Sequence, residues 1–143
     1  MISPYFKIGF ECENIVRELK RFERGIKPNL FLIEDGKKII NNLIKALENN
    51  ENPVNYHNLE EQTLYMPLIS DEIRENILSF KEKDIEKQVI KTESKLGKVS
   101  RTIDAIIESK KPSKDYIKTS IDFFENIGEK CFSYANADSG TYN

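Results

Sequence analysis

The chain has 143 residues, of which 38% are hydrophobic and 32% charged, and its formal net charge at pH 7 is −2. This length fits one ordinary domain and can bury a core without disulfides or metals. The small net charge excludes a protein that is basic or acidic over its whole surface, so a polyanion site would have to be one face. Apolar residues recur at regular spacing, which excludes a disordered chain.

The first predicted helix covers about residues 4–24. Ser3 and Pro4 suit an N-cap and a first helical position, while Gly25 and Pro28 suit a helix end. Apolar residues at helical spacing form a seam along this helix: Ile8, Cys12, Ile15, Leu19, Phe22 and Ile26. A secondary basic face lies on the outer side, where preceding acids partly neutralise it: Arg17, Lys20, Arg21, Arg24 and Lys27.

The middle of the chain is less regular. A second helix is predicted from residue 29 or 30 to about residue 49, with a short extended segment over residues 30–33 as the alternative. Residues 49–58 have loop composition, and residues 59–66 are predicted as a short helix ended by Pro67. A candidate pocket is placed here, although such residues also commonly fill the space beneath a loop: Tyr56, His57, Tyr65 and Met66.

The second half of the chain predicts a long helix over about residues 71–110 and a last helix over about residues 114–135. Ser70 suits the N-cap of the long helix, and Asp71 and Glu72 suit the positive end of its dipole. Its apolar seam changes face, so a break near residues 81–84 or at Gly97 is the alternative. We therefore predict an all-α, antiparallel bundle of about four main helices.

The domain organisation follows from the same pattern. Residues 1–136 are predicted as a single helical domain, and the small, polar residues 137–143 as a flexible tail. An unbroken long helix would measure about 58 Å, well beyond the roughly 30 Å of each of the first two helices. The excess length favours a partner, so we expect a homo-oligomer.

The long helix carries a row of cations that share one helical face, and we call it the lysine face: Lys83, Lys87, Lys91, Lys95, Lys98 and Arg101. Only Asp84 lies among them on the helical wheel, and like-charged neighbours cost a helix a few tenths of a kcal/mol each. The lysine face is therefore a candidate polyanion-binding surface. The alternatives are a solvated face and one that pairs with a partner's carboxylates.

Signals for catalysis or cofactors are few. His57 is the only histidine, so no metal site and no cofactor are expected. Cys12 and Cys131 are predicted to be buried, unpaired thiols, as is usual in the cytoplasm. The first residues lack the pattern of a signal peptide, and no apolar run approaches the roughly 20 residues of a membrane helix. We expect a cytoplasmic protein that does not contact a membrane.

Three functions follow, in order of support. The first is a non-enzymatic α-helical interaction or assembly module, an adaptor or accessory subunit whose partner is itself or another helical protein. The second is an accessory nucleic-acid-binding protein that uses the lysine face. The third is a small-molecule or catalytic site around His57.

Overall fold

A computed structural model describes residues 3–51, 59–80 and 85–140. Within these ranges the chain forms five helices and no strand, which confirms the all-α helical bundle. The helices are α1 (Pro4–Glu23), α2 (Leu30–Glu51), α3 (Leu59–Phe80), α4 (Ile85–Ile107) and α5 (Lys114–Gly140).

The predicted ends of α1 are confirmed. The Ser3 hydroxyl accepts a hydrogen bond from the Tyr5 backbone N–H at 3.3 Å, and Pro4 begins the helix. At the other end Gly25 has a φ of +82°, a conformation that glycine adopts without steric cost. Helix α2 begins at Leu30, so residues 30–33 are helical and the extended alternative does not form.

The predicted helix end at Pro67 and the N-cap at Ser70 are wrong. Helix α3 runs from Leu59 to Phe80 with Pro67 in its interior. An internal proline removes a backbone hydrogen bond and costs about 3 kcal/mol. The next two residues, Leu68 and Ile69, are only 0% and 1% exposed. Burial of such side chains contributes about 1.5–3 kcal/mol each, and this tertiary stabilisation offsets the proline.

Two described helices, α3 to Phe80 and α4 from Ile85, cover most of the long helix predicted over residues 71–110. Residues 81–84, where the alternative places a break, lie outside the described residues. Helix α4 continues through Gly97. Helix α5 extends to Gly140, so residues 137–140 of the expected tail are helical, and the flexibility of the tail stays a prediction.

The chain divides into two compact units, Met1–Ile39 with Lys98–Asn143, and Ile40–Gly97. In the first unit α1 and α5 pack antiparallel, since Tyr5 lies beside Tyr134 (ring centroids 5.2 Å apart) and Lys20 beside Glu125 (3.1 Å). Residues at helical spacing form its core: Ile8, Cys12, Ile15, Leu19, Ile33, Val99, Ile103, Ile117, Phe124, Ile127 and Cys131. The second unit has its own core: Ile40, Leu43, Ala46, Leu47, Tyr65, Leu68, Ile69, Ile73 and Leu96.

Both cysteines are buried and unpaired, as predicted. Burial raises the pKa of the Cys131 thiol to about 12 and holds the pKa of the Cys12 thiol well above its ordinary value. A Cβ added at Gly128 would lie 3.2 Å from the Cys12 Cβ, tighter than ordinary van der Waals contact. The absence of a side chain at Gly128 therefore permits the close approach of α1 and α5.

Candidate functional site

An open groove of about 830 Å³ lies in the first unit, where the α1–α2 connection and the α4–α5 connection come together. The ends of four helices contribute to it, which is why no single stretch of sequence contains it. Its lining residues are Phe22, Glu23, Gly25, Ile26, Lys27, Pro28, Leu30, Ile106, Ser109, Lys110, Lys111, Pro112, Lys114 and Ile117.

The two connections that form the groove have the same construction. After α1, Gly25 N–H bonds to Phe22 C=O (3.0 Å) and Ile26 N–H bonds to Arg21 C=O (3.0 Å). This pair of bonds defines a Schellman motif, which ends a helix at a left-handed residue. In sequence the connection reads Gly-Ile-Lys-Pro-Asn, residues 25–29.

After α4 the same two bonds recur. Ser109 N–H bonds to Ile106 C=O (3.1 Å) and Lys110 N–H bonds to Ala105 C=O (2.7 Å). Residues 109–113 read Ser-Lys-Lys-Pro-Ser, again a left-handed residue, one variable residue, lysine, proline and a polar N-cap. The repeated turn places Lys27 and Lys111 at equivalent positions of the two walls.

N-caps then begin the next helices. The Asn29 side chain accepts a hydrogen bond from Phe31 N–H (3.0 Å), and the Ser113 hydroxyl accepts one from Tyr116 N–H (3.2 Å). The first connection is also tied to α1, because the buried Glu18 carboxylate accepts the Asn29 N–H at 2.7 Å. These bonds satisfy backbone groups at the helix ends and give both walls of the groove a defined backbone conformation.

The floor of the groove is apolar and partly open to solvent. Ile26 is 45% exposed and Leu30 37%, and Phe31, next to Leu30 on α2, is 81% exposed. Ile26 was predicted to complete the buried seam of α1. The helix ends before it, so the helical spacing no longer sets its direction, and its side chain lines the groove instead. Apolar residues exposed next to one another commonly mark an interaction surface.

The rim of the groove is positively charged. Four lysines and one acid, Glu23, are among its lining residues: Lys27, Lys110, Lys111 and Lys114. Lys110 contacts Glu108 at 3.2 Å, but both side chains are more than half exposed, so this pair is weak. Among the described residues, no carboxylate lies within ion-pair distance of the other three lysines. Lys110 and Lys111 also follow the negative end of α4, which gives them a local structural role.

Ser109 adopts an unusual backbone conformation in this groove. Its φ is +60°, in the left-handed region that most side chains avoid, and it is the one such non-glycine residue among those described. A left-handed residue of this kind costs about 1–2 kcal/mol. Strained backbone conformations are often retained at functional positions, so the conformation of Ser109 supports the groove as a functional site.

The predicted lysine face is not a uniform row of solvated cations. Lys95 lies 2.7 Å from the carboxylate of Glu72, which is 2% exposed, so this lysine neutralises a buried acid of α3. The Lys98 ammonium lies over the Tyr116 ring, 5.9 Å from its centroid. Lys87, Lys91 and Arg101 are exposed, and Lys83 lies outside the described residues.

These positions also divide between the two compact units, since the boundary falls between Gly97 and Lys98. Lys95 and Lys98 therefore have partners on other helices, which the residue spacing along the lysine face does not show. Local spacing could not reveal Glu72, because it lies on another helix.

The secondary basic face of α1 is largely engaged in local contacts. Arg17 donates a hydrogen bond to the Asn14 side chain, and Lys20 pairs with Glu125 on α5. Arg21 lies 3.9 Å from Glu18, the i,i+3 partner that the sequence predicted. Arg24 is exposed, and Lys27 belongs to the groove. Of this predicted set, only Lys27 lies in the candidate site.

The predicted pocket around the histidine is only partly described. Tyr56 and His57 lie outside the described residues. Tyr65 is buried in the core of the second unit and Met66 is partly exposed, both on α3. Within the described residues no group of three or more metal-ligating side chains is placed to hold a metal. No described helix has an apolar stretch of the kind that crosses a membrane.

Sequence reasoning missed the groove, although a signal was present. The pattern lysine–proline–polar residue occurs at residues 27–29 and again at residues 111–113. Each copy alone is an ordinary helix connection, and only their juxtaposition forms the site. No protein-family model, curated protein or solved structure matches this chain.

Proposed function

We propose that this protein is a non-enzymatic helical interaction module, and that the groove between the two connections is its binding surface. The observation that carries the proposal is the combination of exposed apolar residues, Ile26 and Leu30, with a rim of four lysines. Protein-binding surfaces commonly combine an apolar centre with a polar rim. The hydrogen-bonded turns on both sides supply a backbone that needs little rearrangement on binding.

A photo-crosslinking experiment tests this function. Leu30 in the groove and, as a control, Asp122 on the exposed side of α5 would each be replaced by p-benzoylphenylalanine in the full chain expressed in its own cells. We expect discrete protein adducts from position 30 and none, or far fewer, from position 122. Mass spectrometry of the adducts should map the crosslinks from position 30 to one defined site on another protein. Equal labelling from both positions would remove the support for the groove.

Self-association remains part of the proposal but fits another surface better than the groove. Two grooves facing each other across a two-fold axis would bring Lys27 and Lys111 of one copy near the same residues of the next. Ile90 on α4 is 61% exposed, and it is the described apolar residue that best suits self-association through this helix. Sedimentation at micromolar concentration tests the idea: Ile90→Asp should shift a dimer to monomer, whereas a wild-type monomer would refute it.

Nucleic-acid binding is the second candidate, favoured by the exposure of Lys87 and Lys91 on α4. Its test should leave Lys95 intact, because removing Lys95 would leave Glu72 buried without its cation. This candidate predicts salt-sensitive binding of RNA or DNA, and we expect Lys87→Glu with Lys91→Glu to abolish it. Unchanged affinity in this variant would exclude the lysine face as the binding site.

A further inference from the structure

We propose that the groove binds an acidic amphipathic helix of a partner protein, one whose apolar stripe is flanked on both sides by Asp or Glu. This inference rests on the proposed function and names the chemistry of its partner. The argument uses the shape of the groove, the placement of its charges and the exclusion of a second copy of this chain.

The shape suits a helix laid across the groove. The floor receives apolar side chains from four helix ends, among them Phe22, Leu30 and Ile117. The groove is open, and Ile26 and Leu30 in its lining are 45% and 37% exposed. A small ligand usually has most of its surface enclosed, whereas an amphipathic helix buries one stripe and leaves the rest in solvent.

The charges define which helix fits. Lys27 and the one lining acid, Glu23, belong to the wall of the α1–α2 connection, while Lys110, Lys111 and Lys114 belong to the other wall. Cations on both sides of an apolar floor are complementary to a helix with carboxylates on both flanks of its apolar stripe. A basic amphipathic helix would face the lysines directly and is excluded by the same charges.

A second copy of this chain is a poor occupant. A symmetric groove-to-groove contact would oppose the two lysine rims, as described above. Charge complementarity thus assigns the groove to a different, acidic protein and leaves Ile90 as the separate candidate for self-association.

The test uses a designed, fluorescein-labelled peptide of about 18 residues, five helical turns, with leucines at positions i, i+3, i+4 and i+7 and glutamates beside them. Its binding to the full chain is followed by fluorescence anisotropy at about 0.05 M and about 0.3 M salt. We expect a Kd on the order of 10 μM at low salt and weaker binding at high salt. A peptide with lysine in place of every glutamate should not bind.

Matched variants locate the interaction. Lys27→Glu with Lys111→Glu should weaken binding of the acidic peptide at least about tenfold and should gain binding of the lysine peptide. Lys7→Glu changes one exposed charge near the start of α1, at the other end of that helix from the groove. It should leave the Kd within about twofold, because roughly 22 Å of helix separates it from Phe22, beyond the screening length. Leu30→Ser should weaken binding with the salt dependence unchanged. Circular dichroism and melting temperature confirm that each variant is folded.

Several outcomes would overturn the inference. The first is acidic-peptide binding that Lys27→Glu with Lys111→Glu does not change. Another is binding of vesicles rich in anionic lipid, lost in the same variant, without binding of the peptide, since the groove would then recognise a lipid surface. If the peptide fails while crosslinks from position 30 to a protein persist, only the acidic helix is refuted. If both fail, the proposed function is refuted as well.

Discussion

The α1–α5 contact and the groove lie in the same compact unit and differ in how far their apolar side chains are buried. Along the contact, Gly128 and Cys12 bring two helices into close approach, and Cys12 and Cys131 are 0% exposed. At the groove, Ile26 and Leu30 remain 45% and 37% exposed beside lysines. Regular helix packing buries the side chains at the centre of the first surface, whereas the second consists of connections whose side chains no longer follow a helical stripe. The difference separates surface that stabilises the fold from surface available to a partner.

A pair of phenylalanine substitutions tests this separation with the largest expected effect. Phe124 on α5 is 0% exposed, and Phe31 is 81% exposed. Phe124→Ala should lower the free energy of unfolding by about 3–5 kcal/mol because it leaves a cavity in the core. Phe31→Ala should change it by no more than about 0.5 kcal/mol, as for an ordinary surface site. Urea unfolding measures both, and similar losses would contradict the assignment of Phe31 to an open surface.

Glycine substitutions test the same contrast through the backbone. Gly128→Val should cost about 1–3 kcal/mol, because its side chain would press against Cys12 and separate α1 from α5. Gly25→Asn provides the control, since nothing lies within 4 Å of a Cβ at this position and asparagine tolerates a positive φ. We expect this control to lose less stability in thermal unfolding. If Gly25→Asn lost more stability than Gly128→Val, the turn at the groove would tolerate a side chain less well than the α1–α5 contact does.

The buried thiols predict a dependence on alkaline pH. The folded protein holds the pKa of Cys131 at about 12, above the ordinary value of 9.0, so above pH 9.0 the unfolded chain loses this proton first. Stability from this thiol is therefore complete below pH 9.0 and declines as the pH rises toward 12.

Each such thiol lowers the free energy of unfolding by about 1.4 kcal/mol per pH unit in this window. Comparing Cys131→Ala with the wild type cancels the titration of the lysines. The slope of stability against pH, measured by urea unfolding between about pH 9 and pH 11, should be shallower in the variant by that amount. Equal slopes would show that Cys131 is not sequestered.

The smallest expected effect belongs to the groove. Ser109→Gly removes the strain of a φ of +60° at a cost in unfolded-chain entropy of about 0.5–1 kcal/mol. We therefore expect a net gain in stability of about 0.5 kcal/mol, seen as a small rise in melting temperature. Peptide binding serves as the second measurement, because loss of the Ser109 side chain weakens binding if that side chain contacts the peptide. A clear loss of stability would contradict the left-handed conformation.

Residue patterns predicted the presence of the helices better than the positions of the helix ends. The caps of α1 were predicted correctly because Ser3, Pro4 and Gly25 act on backbone groups within a few residues. The seam was predicted correctly only from Ile8 to Leu19. The helix end predicted at Pro67 was wrong, because the local rule against internal proline takes no account of the burial of Leu68 and Ile69. The candidate site was missed except for Lys27, since spacing along one helix cannot show which connections become neighbours.

Amphipathic spacing, capping residues and turn-forming residues suffice for the all-helical class, the two buried cysteines and most helix starts, because each depends on residues close in the chain. The lysine face shows the limit of such reasoning. Glu72 and Lys95 are 23 residues apart and meet only through packing of α3 with α4. The groove likewise needs residues 25–30 beside residues 106–117, a juxtaposition set by burial of distant apolar stripes and not by any local preference.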